Sequence, residues 1–187
     1  MLSIVRRTLV LSLVLLAGST AQALTIQSAS IGDGQGCTDL ACTTQTHTYV
    51  AATTAGGGTI SLAGSTLTFS ISGLGATFAP GVTFSGVSFD GTATVVGAGV
   101  FAVTGGSATV GGTFDDGTAS AFATAAITVG GTCTDLGGNL ACGLLFSFAT
   151  PDGNTFKHTV NLATPEPATA GLLGLALLGV AAVRRRS

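Results

Sequence analysis

The chain of 187 residues has no tryptophan, one tyrosine (Tyr49) and one methionine, and only 7% of its residues are charged. Without tryptophan it lacks the exposed aromatic platforms on which sugar-binding domains commonly stack a ring, which weakens a lectin reading. Between residues 24 and 163 there is no arginine and no glutamate, and Lys157 is the single lysine. Seven aspartates stand against it, at positions 33, 39, 90, 115, 116, 135 and 152, so this stretch carries −6 although the whole chain carries −2. Such a surface repels phosphate backbones, which excludes nucleic acid as a partner and argues against docking on anionic lipid.

The same scarcity removes most catalytic chemistry, which needs convergent ionisable groups. The stretch offers two histidines. His47 lies among threonines, and His158 shares the apolar parity of its segment, as a packed or rim histidine would. No Gly-x-Ser-x-Gly elbow is present. Asp115 and Asp116 are adjacent, so in an extended backbone they point apart. No catalytic residue and no cofactor is assigned, and the chain is read as a non-enzyme.

A helical stripe is also missing between the two ends. The pattern is instead period two. Ile60 and Leu62 alternate with Thr59 and Ser61; Leu67, Phe69 and Ile71 alternate with Thr68 and Ser70. Val82 and Phe84 set one phase, and Val87 and Phe89 resume it one residue late, which predicts a bulge or bend at Gly86. Phe156, His158, Val160 and Leu162 share a face. Phe122 falls on the face opposite Ala121, Ala123, Ile127 and Val129. Glycine clusters and Asp-Gly pairs punctuate the pattern, and Asp33-Gly34, Asp90-Gly91, Asp116-Gly117 and Asp152-Gly153 all read as turns. The expectation is an all-β domain over residues 24–163, an antiparallel β-sandwich or barrel of about eight to ten short strands.

The carboxylates invite a calcium reading, since calcium takes six to eight oxygens. Asp33, Asp39, Asp115 and Asp116 are its candidates, but no complete calcium-loop motif surrounds them, and no metal site is assigned. The four cysteines lack a C-x-x-C pair, which disfavours zinc and redox roles. Their even number, behind a secretory leader, points to disulfides, and three connectivities are possible. Cys37-Thr38-Asp39-Leu40-Ala41-Cys42 recurs as Cys133-Thr134-Asp135-Leu136, then Ala141-Cys142 after four inserted residues. Each copy carries its own pair, so the repeat favours Cys37–Cys42 and Cys133–Cys142.

Both ends of the chain are targeting segments. Met1 to Ala23 has Arg6 and Arg7, an apolar run from Leu9 to Ala17 and the small-residue end Ala21-Gln22-Ala23, which reads as a signal peptide for Sec export. Residues 164–187 contain Pro165-Glu166-Pro167, then sixteen uncharged residues from Ala168 to Val183, then Arg184, Arg185 and Arg186. As a helix that run spans roughly 24 Å, short of the ~30 Å hydrocarbon core, which suits a temporary transmembrane anchor. The three arginines hold their end cytoplasmic and place the body outside.

The Pro-Glu-Pro motif, the apolar run and the terminal arginines, in that order, resemble the PEP-CTERM sorting signal. The resemblance covers the tail alone. It implies export in a Gram-negative cell, transient anchoring in the inner membrane with the body in the periplasm, and processing by an exosortase. It also implies a destination at the cell surface or in the extracellular matrix, in association with exopolysaccharide or biofilm. With a body poor in catalytic groups, the expected role is a structural or adhesive one. The alternatives are a carbohydrate- or calcium-binding β-module and a cryptic hydrolase.

Overall fold

The computed structural model describes residues 23–164, except Leu40, Gly137 and Gly138. The expected signal peptide and C-terminal transmembrane helix lie outside the described residues. Among the described residues there are nine β-strands and no helix: β1 (Leu24–Cys37), β2 (Gln45–Thr54), β3 (Gly56–Ala63), β4 (Thr66–Ala79), β5 (Val82–Ala98), β6 (Val100–Asp115), β7 (Ser120–Asp135), β8 (Leu140–Ala149) and β9 (Thr155–Ala163).

From β3 to β9 each strand pairs antiparallel with the next, and β1 pairs with β9 from Ser28–Ala163 to Cys37–Thr155. β2 and β3 share one place in the ring. β2 bridges the ends of β1 and β4, and β3 bridges their beginnings. The sheet therefore closes on itself as an up-and-down barrel with eight positions, and the sandwich alternative is excluded. Closure removes the open edges through which long strands aggregate.

An eight-position barrel is just wide enough for its own side chains to fill. Here the filling is phenylalanine: Phe78, Phe84, Phe89, Phe114, Phe146 and Phe156 are fully buried. Phe78 meets Phe156 edge-on at 5.1 Å, and Phe84 meets Phe156 at 4.9 Å, the geometry the ring quadrupoles favour. Aliphatic layers of Ile26, Ile60, Leu67, Leu144 and Leu162 pack with them in one cluster.

The strands are long, with β5 at 17 residues and β6 and β7 at 16 each, so the expectation of short strands is corrected. The cause is that many glycines sit inside strands and do not end them. At Gly86 the expected bulge is present. Its φ of +59° is costly for a residue with a Cβ, and the pairing with β6 shifts between Ser85 and Ser88. A second bulge, in β7, sets Ala108 opposite Ile127 but Val110 opposite Thr124. It reverses the parity and turns Phe122 inward against Phe84 and Phe148, contrary to the face assigned from the alternation.

Two of the four Asp-Gly pairs are not turns. Asp90 and Gly91 lie within β5, opposite Thr109 and Ala108. Asp33 and Gly34 lie within β1, opposite Thr159 and His158. A Cβ at Gly34 would stand 2.7 Å from the Lys157 carbonyl oxygen, 3.0 Å from His158 Nδ1 and 3.2 Å from Phe78 Cε1. The missing side chain is thus what admits the neighbouring rings. Gly34→Ala should cost about 1–3 kcal/mol by overpacking, read as a lower urea midpoint at unchanged m-value. An unchanged midpoint would show that the neighbours give way freely. Asp116-Gly117 and Asp152-Gly153 do lie in turns, between β6 and β7 and between β8 and β9.

Candidate functional site

The barrel has two unlike ends. One carries the loop after β1 and the turns β6–β7 and β8–β9. The other carries both termini of the folded body, Leu24 and Thr164, together with the turns β3–β4, β5–β6 and β7–β8. We call the second the exit end.

At the exit end β9 does not simply run out. Thr164 is buried, and its N–H donates to the Leu140 carbonyl at 3.0 Å. Its Oγ1 accepts from the Leu140 N–H at 2.8 Å. Both backbone groups at the start of β8 are thereby satisfied by the last residue before Pro165. Two residues further along β8, Cys142 is bonded to Cys133, its direct partner on β7. The neighbouring turns are tied in the same way. The Ser65 carbonyl accepts from Val95 N–H at 2.8 Å, and the Gly99 carbonyl accepts from Asp135 N–H at 2.7 Å. The point where the tail leaves the body is therefore a braced rim. Thr164, the first residue of the 164–187 tail, makes its contacts with the barrel.

The two disulfides are Cys37–Cys42 and Cys133–Cys142, the pairs the repeat favoured. They staple opposite ends of the barrel. A link closing nine residues removes loop entropy worth about 2–3 kcal/mol from the unfolded chain. Substitution of Cys133 and Cys142 by alanine should lower stability by that amount, read in urea at neutral pH. An unchanged midpoint would show that the exit rim needs no covalent brace.

The aspartates singled out for calcium are not brought together. Asp39 lies inside the first disulfide loop, where its carboxylate accepts from Thr43 Oγ1 at 2.5 Å and from Thr43 N–H at 3.2 Å. These bonds hold its pKa below the ordinary aspartate value. Asp115 accepts from Gly117 N–H at 2.9 Å, and Asp116 from Thr118 N–H at 3.2 Å; both cap the β6–β7 turn. Asp33 lies in mid-strand on β1. Among the described residues no three His, Cys, Asp or Glu side chains are grouped so as to hold a metal ion.

Asp152 plays the same turn-capping part, with Thr150 Oγ1 and Asn154 Nδ2 donating to its carboxylate. Burial would raise its pKa, but the hydrogen bonds from Thr150 and Asn154 outweigh burial and lower it. His47 is half-buried on β2 beside Thr46 Oγ1, with its ring 5.4 Å from that of Phe156.

His158 lies on the inside of the barrel. It is 1% exposed, with Phe78, Phe84, Phe148 and Phe156 all within 6 Å of its ring centre. Neither ring nitrogen has a hydrogen-bond partner. Burial pushes its pKa down to about 3, so the ring is neutral at any ordinary pH. The alternation placed it on the apolar face. The aromatic cage around it was not legible, because its rings come from β4, β5, β8 and β9.

The sorting residues Pro165, Glu166 and Pro167 and the arginines 184–186 lie outside the described residues, immediately beyond the Thr164 clamp. No curated protein and no solved structure matches the chain. Residues 163–186 match the family model of the PEP-CTERM protein-sorting motif, so the tail that leaves this barrel at Thr164 is a PEP-CTERM sorting signal, the mark of an exported, exosortase-targeted protein.

Proposed function

We propose that the body is a non-enzymatic structural or adhesive domain of the cell surface or of the exopolysaccharide matrix, delivered there by exosortase processing of its tail. The observation that carries this reading is the direct join between a closed, side-chain-filled barrel and the sorting signal. No linker separates Ala163 at the end of β9 from the motif that begins at residue 165. What is delivered is the barrel itself, and its outer wall is the working surface. That wall is rich in threonine and serine, such as Thr66, Thr68, Ser70, Thr92 and Thr94 on adjoining strands β4 and β5, and such hydroxyls hydrogen-bond readily to hydrated polymers. The four carboxylates at the far end are turn caps, which is what a scaffold requires of them and not what an acid–base pair requires.

Deletion of the protein in its host should reduce cell aggregation and matrix retention, assayed by sedimentation and by recovery of extracellular polymer. Unchanged aggregation and matrix would count against the structural role. The calcium-binding alternative makes the opposite solution prediction. On the present reading, calcium added to the purified body gives no heat of binding and no rise in melting temperature, and a saturable rise would favour that alternative.

A further inference from the structure

Among the described residues, the exit end carries three of the five exposed large apolar side chains: Val96 (53%), Val100 (62%) and Leu136 (62%). They stand on consecutive strands, at the end of β5, the start of β6 and just past β7. Between Val96 and Val100 the turn is Gly97-Ala98-Gly99, so the arc has no polar side chain over five residues, all of them exposed. Asp135 is the single carboxylate at this end among the described residues. Asp39, Asp115, Asp116 and Asp152 all lie at the opposite end. The barrel is thus polarised along its axis, apolar at the exit end and acidic at the other.

The tail supplies the reason. Thr164 is clamped to β8 at the exit end, and the uncharged run begins at Ala168. Four Cα steps separate the two, at most about 14 Å when fully extended. The headgroup layer is itself roughly 5–8 Å thick on each side of the hydrocarbon. Even at full extension, a chain anchored by that run holds its exit rim within about 10 Å of the headgroups, and any slack brings the two into contact. We propose that the rim formed by Val96, Val100 and Leu136 rests on the lipid surface while the tail is inserted, seating the barrel upright with its acidic end away from the membrane. The inference rests on the reading of the tail as a membrane-anchored sorting signal. The net charge of −6 argued against lipid contact only as an average, because most of that charge is at the far end. A neutral apolar rim suits zwitterionic phosphatidylethanolamine or phosphatidylcholine, where no surface potential acts on the remote carboxylates. The contact is weak enough to end with processing, since three small aliphatic groups bury little area.

The absence of native tryptophan makes the test direct. Full-length protein with its tail is reconstituted into phosphatidylcholine vesicles, with single probes Val100→Trp, Leu136→Trp and, as a control on β2, Val50→Trp (58% exposed in the native protein). Brominated lipid should quench the two rim probes about twofold or more beyond the control, as expected for side chains within ~10 Å of the acyl boundary. A double Val100→Glu, Leu136→Glu variant, carrying a third probe at Val96, should lose that extra quenching while its tail keeps it on the vesicle. Equal quenching at all three single probes on floating vesicles would overturn the rim contact and leave the tail reading intact. A chain that fails to float would overturn the anchoring, and the proposal with it. A blue shift of the rim probes that grows with protein concentration in lipid-free micelles would assign the rim to a second copy and overturn the lipid assignment.

Discussion

Acidification from pH 7 to pH 4.5 should lower the stability of the folded barrel by about 2–3 kcal/mol through His158 alone. The folded-state pKa of about 3 lies below the ordinary value of 6.5, so the unfolded chain binds the proton more readily. Stability is then complete above pH 6.5 and falls as the pH drops toward 3, by about 1.4 kcal/mol per unit in between. The cause is the cage: four phenylalanine rings and no acceptor for either nitrogen, so an imidazolium there would be unsolvated and unpaired. Asp39 and Asp152 act lower on the scale. Their folded pKa values are depressed, so the stability they contribute is lost only as the pH falls below the ordinary 3.8. The contrast of native protein with His158→Phe isolates the histidine. At pH 7 the variant removes two unsatisfied polar atoms but adds ring volume, effects of about 1–3 kcal/mol each and opposite in sign. The two proteins should therefore be similar at neutrality and diverge on acidification, with the variant nearly flat. Urea midpoints at four pH values decide it, and parallel curves for the two proteins would show that the ring finds a partner or water on protonation.

The fold was legible wherever one strand explains itself. Leu67, Phe69 and Ile71 gave the inner face of β4, and the phase slip at Gly86 announced its bulge, because both depend on neighbours in sequence. The cysteine pairs were legible because the motif is written twice. Features that depend on neighbours in space were not. An Asp-Gly pair in a turn and one inside a strand have the same local sequence. What separates Asp33-Gly34 from Asp152-Gly153 is the Lys157 carbonyl and the rings of His158 and Phe78 standing across from Gly34. Closure of the barrel depends on β1 meeting β9, more than a hundred residues away, and no local pattern encodes that meeting. The inward turn of Phe122 follows from a bulge with no glycine or proline to mark it. At the exit end the tail's chemistry was plain from sequence, but its brace was not, because Thr164 shows its allegiance only through Leu140.

That brace sharpens the second large effect. Glu166→Ala, or the pair Pro165→Ala and Pro167→Ala, should leave essentially all of the protein unprocessed in the inner membrane, seen as a larger band in the membrane fraction and no released form. Proline restricts φ and lacks a backbone donor, so two prolines in three residues disfavour a continued strand ladder or helix at those positions. Thr164→Ala provides the contrast. It removes the acceptor for the Leu140 N–H, at a cost to the barrel of about 1–3 kcal/mol for the buried donor left unmet. It leaves Pro165, Glu166 and Pro167 untouched, so processing should continue. If Thr164→Ala blocks processing as completely as Glu166→Ala, the enzyme reads the braced barrel end as well as the motif. Released protein of normal mature size from the Glu166 or double-proline variant would remove the sorting role from those three residues.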